Sequence, residues 1–148
     1  MNTRKITHEI ELPASPDRVF TILHTPSAIR SWWSAARAIV LAEEGGLWMA
    51  TWGEHEDDPD YITAATIKIF DPPRRLLLTV FKYRAKSGPL PFKLETTTEF
   101  TVEARTNGAL LRVIQDGFPA DRIADEFYAA CEVGWRNTFE GIKMYLGG

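Results

Sequence analysis

The sequence predicts an α+β protein, with strands in antiparallel hairpins and helices kept apart from them. Three observations lead there. Stretches that alternate apolar and polar residues fill the middle of the chain, separated by turn residues. Two short helical segments follow the first strand instead of alternating with the later ones. A long run of helical periodicity ends the chain.

The first strand is expected from Ile6 to Leu12. Ile6, His8, Ile10 and Leu12 share one face, and Thr7, Glu9 and Glu11 share the other, the pattern of a half-buried strand. Ser15-Pro16-Asp17 opens a helix, since Ser15 can cap free amides and Pro16 suits the first turn. Val19, Phe20 and Leu23 mark its buried face, and Pro26 ends it. A second short helix is expected from about Ser27 to Trp33. Gly45-Gly46 forms a turn, and Trp48, Ala50 and Trp52 fall on one face of the strand after it. The acidic stretch Glu54 to Asp60 reads as a loop. Strands from Tyr61 to Phe70 and from Arg75 to Tyr83 flank Asp71-Pro72-Pro73-Arg74, and Arg84 to Pro91 is a longer loop.

Asn107-Gly108 is a strong hairpin signal. A turn on those two residues sets Ala104 opposite Leu111, Val102 opposite Val113 and Phe100 opposite Gln115. It also pairs Glu103 with Arg112 across the other face. A one-residue slip would mix the two faces. Pro119 and Asp121 mark the start of the last helix, and Gly147-Gly148 its end. Ile123, Phe127, Cys131, Trp135, Thr138, Ile142 and Tyr145 recur at helical spacing. Such a helix spans on the order of 38 Å. About seven strands are expected in all.

The 148 residues suit one domain, residues 1–148. With 45% hydrophobic and 25% charged residues the composition is that of a folded protein. The net charge of -3 argues against nucleic acid, because phosphate binding needs clustered Lys and Arg. One cysteine, Cys131, excludes an internal disulfide and suits a reducing compartment. No apolar run reaches membrane-spanning length and no signal-peptide core is present, so a cytoplasmic location is expected. The oligomeric state is open between monomer and homodimer. No cofactor and no metal are expected. The Glu54–Asp60 run has no second ligand cluster and matches neither calcium-loop nor zinc spacing. The chain has no Gly-x-Ser-x-Gly elbow, phosphate-cradling glycine loop or dinucleotide fingerprint.

Several motifs carry a family resemblance in chain order. They are Leu12-Pro13-Ala14-Ser15-Pro16-Asp17-Arg18-Val19-Phe20, Pro26 with Trp32-Trp33, Gly45-Gly46-Leu47-Trp48, Asp71-Pro72-Pro73-Arg74-Arg75-Leu76-Leu77-Leu78-Thr79, Gly134-Trp135, Ile142 and Tyr145-Leu146. Together they resemble the activator of heat-shock-protein-90 ATPase homologue-like family, part of the START-like (SRPBCC, polyketide cyclase-like) superfamily. The resemblance implies a helix-grip fold: a curved antiparallel sheet of about seven strands wrapped around a long C-terminal helix, with a cavity between them. It does not imply one activity, since relatives include lipid carriers, receptors, cyclases and co-chaperone domains. The sequence departs from the pattern at Gln115 and Val80, where relatives often carry His and Trp.

Within that implied cavity the candidate ligand-binding residues are Trp33, Trp48 and Trp52 from the N-terminal half, and Leu78 and Val80 from the strand after the proline turn. Thr98, Phe100, Val113 and Gln115 come from the hairpin, and Phe127, Cys131 and Trp135 from the last helix. Large aromatics usually fill a core; in a fold with a cavity they equally serve as its walls. Trp32 and Trp33 are adjacent on a helix and cannot face the same way. Thr96, Thr98, Gln115 and Thr138 would need partners, from one another, water or a ligand. Cys131 sits among apolar residues and reads as inert. His8, on an apolar face, is the only candidate general base. Three readings follow: a binding protein for a small apolar or aromatic molecule, a chaperone-associated interaction module, or a cyclase- or hydrolase-type enzyme that would depend on His8. Arg84–Pro91 or Glu54–Asp60 would form a movable rim.

Overall fold

Alternating exposure carries the first strand, β1 (Thr3–Leu12), in the computed structural model, which describes residues 2–147. Ile6 and Leu12 are buried and the residues between them alternate, as the pattern predicts. Gly148 of the expected C-terminal stop lies outside the described residues. α1 (Pro16–Ile22) starts on Ser15, whose side chain accepts from the Arg18 amide at 3.2 Å. Pro26 opens α2 (Pro26–Trp32) instead of merely ending α1, in keeping with the fit of proline to a first helical turn.

Six strands follow in a meander: β2 (Arg37–Val40), β3 (Leu47–Trp52), β4 (Tyr61–Asp71), β5 (Arg75–Ala85), β6 (Thr97–Arg105) and β7 (Gly108–Pro119). With β1 they make a seven-stranded antiparallel sheet in the order β1-β7-β6-β5-β4-β3-β2. β2 has no counterpart in the sequence reading. It is four residues long, lies at the sheet edge and buries none of its side chains fully, so no alternation announces it.

The β6–β7 register differs from expectation by two residues. Ala104 faces Ala109, Val102 faces Leu111, Phe100 faces Val113 and Thr98 faces Gln115. The turn is Thr106-Asn107, and neither residue has positive φ. Gly108 belongs to the strand for a different reason: a Cβ there would stand 1.9 Å from the Leu12 carbonyl oxygen. The glycine serves a close approach of β1, not a left-handed turn. Because side chains alternate with period two, a two-residue shift keeps every residue on its own face. The expected Glu103–Arg112 pair is absent. Arg112 bonds Glu9 across β1 at 2.9 Å, and Glu103 pairs with Arg105 at 3.1 Å.

β4 and β5 are irregular. Their register shifts twice, between Ala64 and Thr66 and between Ile67 and Ile69. The first shift leaves Val80 and Phe81 opposite Ala65, with Val80 at φ 53°. Past Leu78, β5 no longer pairs with β6. Bulges of this kind bend a strand and strengthen its twist, which helps the sheet curl.

The curl holds α3 (Asp125–Tyr145), preceded by a 3₁₀ turn at Arg122–Ala124. At about 1.5 Å per residue α3 spans roughly 32 Å. Pro119 closes β7 rather than opening the helix, and Ile123 and Tyr145, expected on the inner face, are exposed. Ile123 sits in the tighter 3₁₀ turn, which breaks the 3.6-residue spacing. Leu146, one turn after Ile142, is buried where Tyr145 was expected. Arg4 fastens the start of α3 to β1, lying 4.3 Å over the Tyr128 ring and 2.6 Å from Asp125.

Phe20 of α1, Phe100 of β6 and Phe139 and Ile142 of α3 are among the largest fully buried side chains. Each stabilises the fold by about 1.5–3 kcal/mol through burial. Gly141 lets α3 meet the end of α2, since a Cβ there would stand 2.5 Å from the Trp32 carbonyl oxygen. Among the described residues no helix is long and apolar enough to cross a membrane.

Candidate ligand-binding cavity

Between the concave sheet and α3 lies a cavity of ≈ 260 Å³. Its helical wall is one stripe: Phe127, Ala130, Cys131, Gly134, Trp135 and Thr138, at the three- and four-residue steps that share a helix face. Its sheet wall is Thr63 and Ala65 of β4, Leu78, Phe81 and Tyr83 of β5, Thr98 and Phe100 of β6, and Gln115 of β7. Trp33 at the end of α2 and Trp48 of β3 complete it.

The β5 residues show why the sequence pattern failed locally. From Leu78 a regular strand would next turn Val80 and Lys82 inward. The bulge inserts one residue and reverses that parity. Val80 is therefore 63% exposed, and Phe81 and Tyr83 face the cavity. Two other expected wall residues also lie elsewhere. Val113 is fully buried in the core opposite Phe100, and it does not line the cavity. Trp52 stands behind Trp33: its indole N–H donates to the Trp33 carbonyl at 3.3 Å, and the rings meet edge to face at 4.8 Å. The remaining nine expected residues, Trp33, Trp48, Leu78, Thr98, Phe100, Gln115, Phe127, Cys131 and Trp135, come together in one lining. Of the adjacent pair, Trp33 reaches the cavity and Trp32 is buried in the core, with its N–H on the Ile22 carbonyl at 3.0 Å.

Some wall residues escaped the sequence reading. Ala130 and Gly134 are small residues on the stripe already marked by Phe127 and Cys131, so helical spacing alone could have found them. Thr63 and Ala65 lie on one alternating face of β4. Phe81 and Tyr83 were hidden by the bulge.

The polar groups fall into two sets. The first is satisfied internally. The Trp135 indole N–H donates to Gln115 Oε1 at 2.7 Å, and Gln115 Nε2 donates to Thr96 Oγ1 at 3.3 Å. The Trp48 N–H donates to the Leu23 carbonyl at 2.9 Å. Gln115 is thus held on both ends of its amide. The second set is Thr63, Thr98 and Thr138, whose hydroxyls make no hydrogen bond with the described residues although the side chains are buried. No fully buried side-chain nitrogen or oxygen among the described residues lacks a partner. These three hydroxyls therefore keep open surface, and all three residues line the cavity.

The cavity disfavours negative charge. Burial pushes the Cys131 thiol up to about 11, so it stays protonated and unreactive at neutral pH. Tyr83 is raised as well, first by burial and then by the nearby Tyr61 and Cys131. His8 packs against the Phe139 ring at 5.3 Å and does not line the cavity, which takes from the enzyme reading the one residue on which it rested. His24 sits between the rings of Phe20 and Phe70, and burial lowers its pKa.

The two loops expected as a rim are joined. The Lys86 amide donates to the Asp60 carbonyl at 2.9 Å, and its ammonium meets Asp58 at 3.0 Å. β5 runs on to Ala85, so the second loop begins later than expected, at Lys86, and continues to the start of β6. Phe92 in this loop packs on Phe127, with centroids 5.7 Å apart.

Solved structures share this architecture. Protein MLL2253 from Mesorhizobium loti superposes with a TM-score of 0.78 at 20% identity, covering 97% of each chain. The Aha1 dimer from Colwellia psychrerythraea, a solution structure, gives 0.72 at 17% identity over 97% of this chain and 96% of that one. CalU16 from Micromonospora echinospora gives 0.69 at 18% identity, over 97% and 74%. At such identities the likeness is one of fold. Among curated proteins, none matches the chain. The family model described as "Activator of Hsp90 ATPase homolog 1-like protein" matches residues 13–147. With nearly its whole length matched, and with the helix-grip architecture in place, the chain belongs to the Activator of Hsp90 ATPase homolog 1-like protein family.

Proposed function

We propose that the protein binds a small apolar or aromatic molecule in the cavity between the sheet and α3. One observation carries the reading. A cleft of ≈ 260 Å³ stays unfilled between the sheet and α3, walled among the described residues by seven aromatic side chains and no charged one. Protein interiors are otherwise packed as densely as organic crystals, and ligand pockets are apolar clefts of about 300–1,000 Å³ with a few placed polar groups. The binding residues of this reading are Trp33, Trp48, Leu78, Thr98, Phe100, Phe127, Cys131 and Trp135, with Gln115 holding Trp135 in place. Native mass spectrometry of protein purified from cells tests it. The expected result is an added small mass that is lost on denaturation. A bare polypeptide mass, together with no rise in melting temperature on adding naphthalene, counts against it.

Family membership favours a second reading, a module that docks on a chaperone ATPase. Ile39, Leu41 and Leu47, all exposed around the β2–β3 edge, would supply the contact. Retention of a purified Hsp90-type ATPase by the immobilised protein, lost on Ile39→Asp, supports this reading. No retention at micromolar concentrations removes it.

A further inference from the structure

We infer that the occupant of the cavity is a non-anionic molecule of one or two rings that carries a hydroxyl or carbonyl oxygen, received by the hydroxyls of Thr98 and Thr138. This rests on the cavity-binding reading and narrows it to a chemical class. Size sets the ring count. An apolar cavity of roughly 150 Å³ holds a benzene, so ≈ 260 Å³ seats one ring or two fused rings between the walls.

Negative charge is disfavoured by the walls. Among the described residues no Lys, Arg or His lines the cavity, and a buried anion without a partner is strongly disfavoured. Burial raises the pKa of the two wall groups that could ionise to anions, Cys131 and Tyr83. A carboxylate ligand would meet the same environment.

The oxygen follows from the hydrogen-bond inventory. Gln115 is held in place by one bond at each end of its amide, to Trp135 and Thr96, whereas the Thr98 and Thr138 hydroxyls make none with the described residues. Thr98 stands directly opposite Gln115, and Thr138 follows Trp135 by one helical turn. Register and helical spacing thus set Thr98 and Thr138 beside the Gln115–Trp135 pair. Thr63 lies opposite Tyr83, toward the other end. A hydroxyl both donates and accepts, so this pair receives an alcohol, a phenol or a ketone alike. Gly134 leaves the ring its seat: a Cβ there would meet nothing within 4 Å. Glycine is among the poorest choices for a helix interior, so helix formation does not explain it.

Isothermal titration calorimetry at pH 7 with naphthalene, 2-naphthol and 2-naphthoate tests the inference. Naphthalene and 2-naphthol should both bind, 2-naphthol about three- to tenfold tighter, the worth of one net hydrogen bond. 2-Naphthoate should bind at least roughly tenfold more weakly than naphthalene. Thr98→Val with Thr138→Val should erase the 2-naphthol advantage and leave naphthalene binding within about twofold. Gly134→Leu, with an unchanged or raised melting temperature, should abolish binding of all three. Binding of 2-naphthoate equal to that of naphthalene, or a 2-naphthol advantage that survives the double variant, overturns the inference and leaves cavity binding intact. Binding by none of the three overturns both.

Discussion

The β6–β7 and β4–β5 hairpins are neighbours in one sheet and are built differently. β6–β7 keeps one register from Arg105↔Gly108 to Thr97↔Asp116 and carries Phe100, Leu111 and Val113, each essentially fully buried. Its polar residue Gln115 is bonded within the protein. β4–β5 shifts register twice, holds Val80 in the left-handed region and parts from β6 after Leu78. The regular hairpin supplies both core and wall, and the bends of the irregular one open the space between wall and helix. A cavity needs a wall that does not collapse onto the helix, and bulges supply it by bending the strand and re-aiming its side chains.

A matched pair of substitutions breaks this comparison most directly. Leu111→Ala on β7 should lose about 2–5 kcal/mol, because the removed side chain is packed on every side. Leu78→Ala on β5 should lose less, since part of its surface already borders the void. Equal losses by denaturant unfolding would mean that the cavity wall packs as tightly as the core. Next, Gln115→Leu should cost about 1–3 kcal/mol by stranding the Trp135 N–H. Its melting temperature should fall, and Gln115→Glu, which keeps an acceptor for the Trp135 N–H, should lose less.

A smaller effect of opposite sign is expected on the irregular side. Val80→Gly should stabilise by about 1 kcal/mol, because a β-branched residue at positive φ is strained and glycine is not. A loss of stability would show that the bulge is held by the valine side chain itself. The smallest effect is a pH dependence at His24, which lies between α1 and α2 and packs on Phe70 of β4. Burial holds His24 below its ordinary 6.5, so the unfolded chain takes up this proton more readily than the folded one. The contribution is complete above pH 6.5 and is lost as the pH falls below it. Melting temperatures of wild type and His24→Gln should therefore converge as the pH drops from 7 toward 5.

What the sequence determined by itself was local. Alternation in β1, the Ser15-Pro16 start of α1, and the stripe Phe127, Cys131, Trp135 and Thr138 on α3 follow from side-chain period and capping chemistry, which depend on near neighbours only. The order of strands and helices followed from the same signals, and nine cavity residues could be named once the family resemblance implied a cavity. Tertiary structure decided the rest. The β6–β7 register moved by two because Gly108 is needed where Leu12 of β1 comes within contact, and period-two alternation cannot tell such registers apart. Val80 turned outward because a bulge reversed the parity of β5. β2 formed because β3 offered an edge, not because four residues announced a strand. In each case the deciding contact joins residues distant in sequence, and local periodicity carries no trace of it.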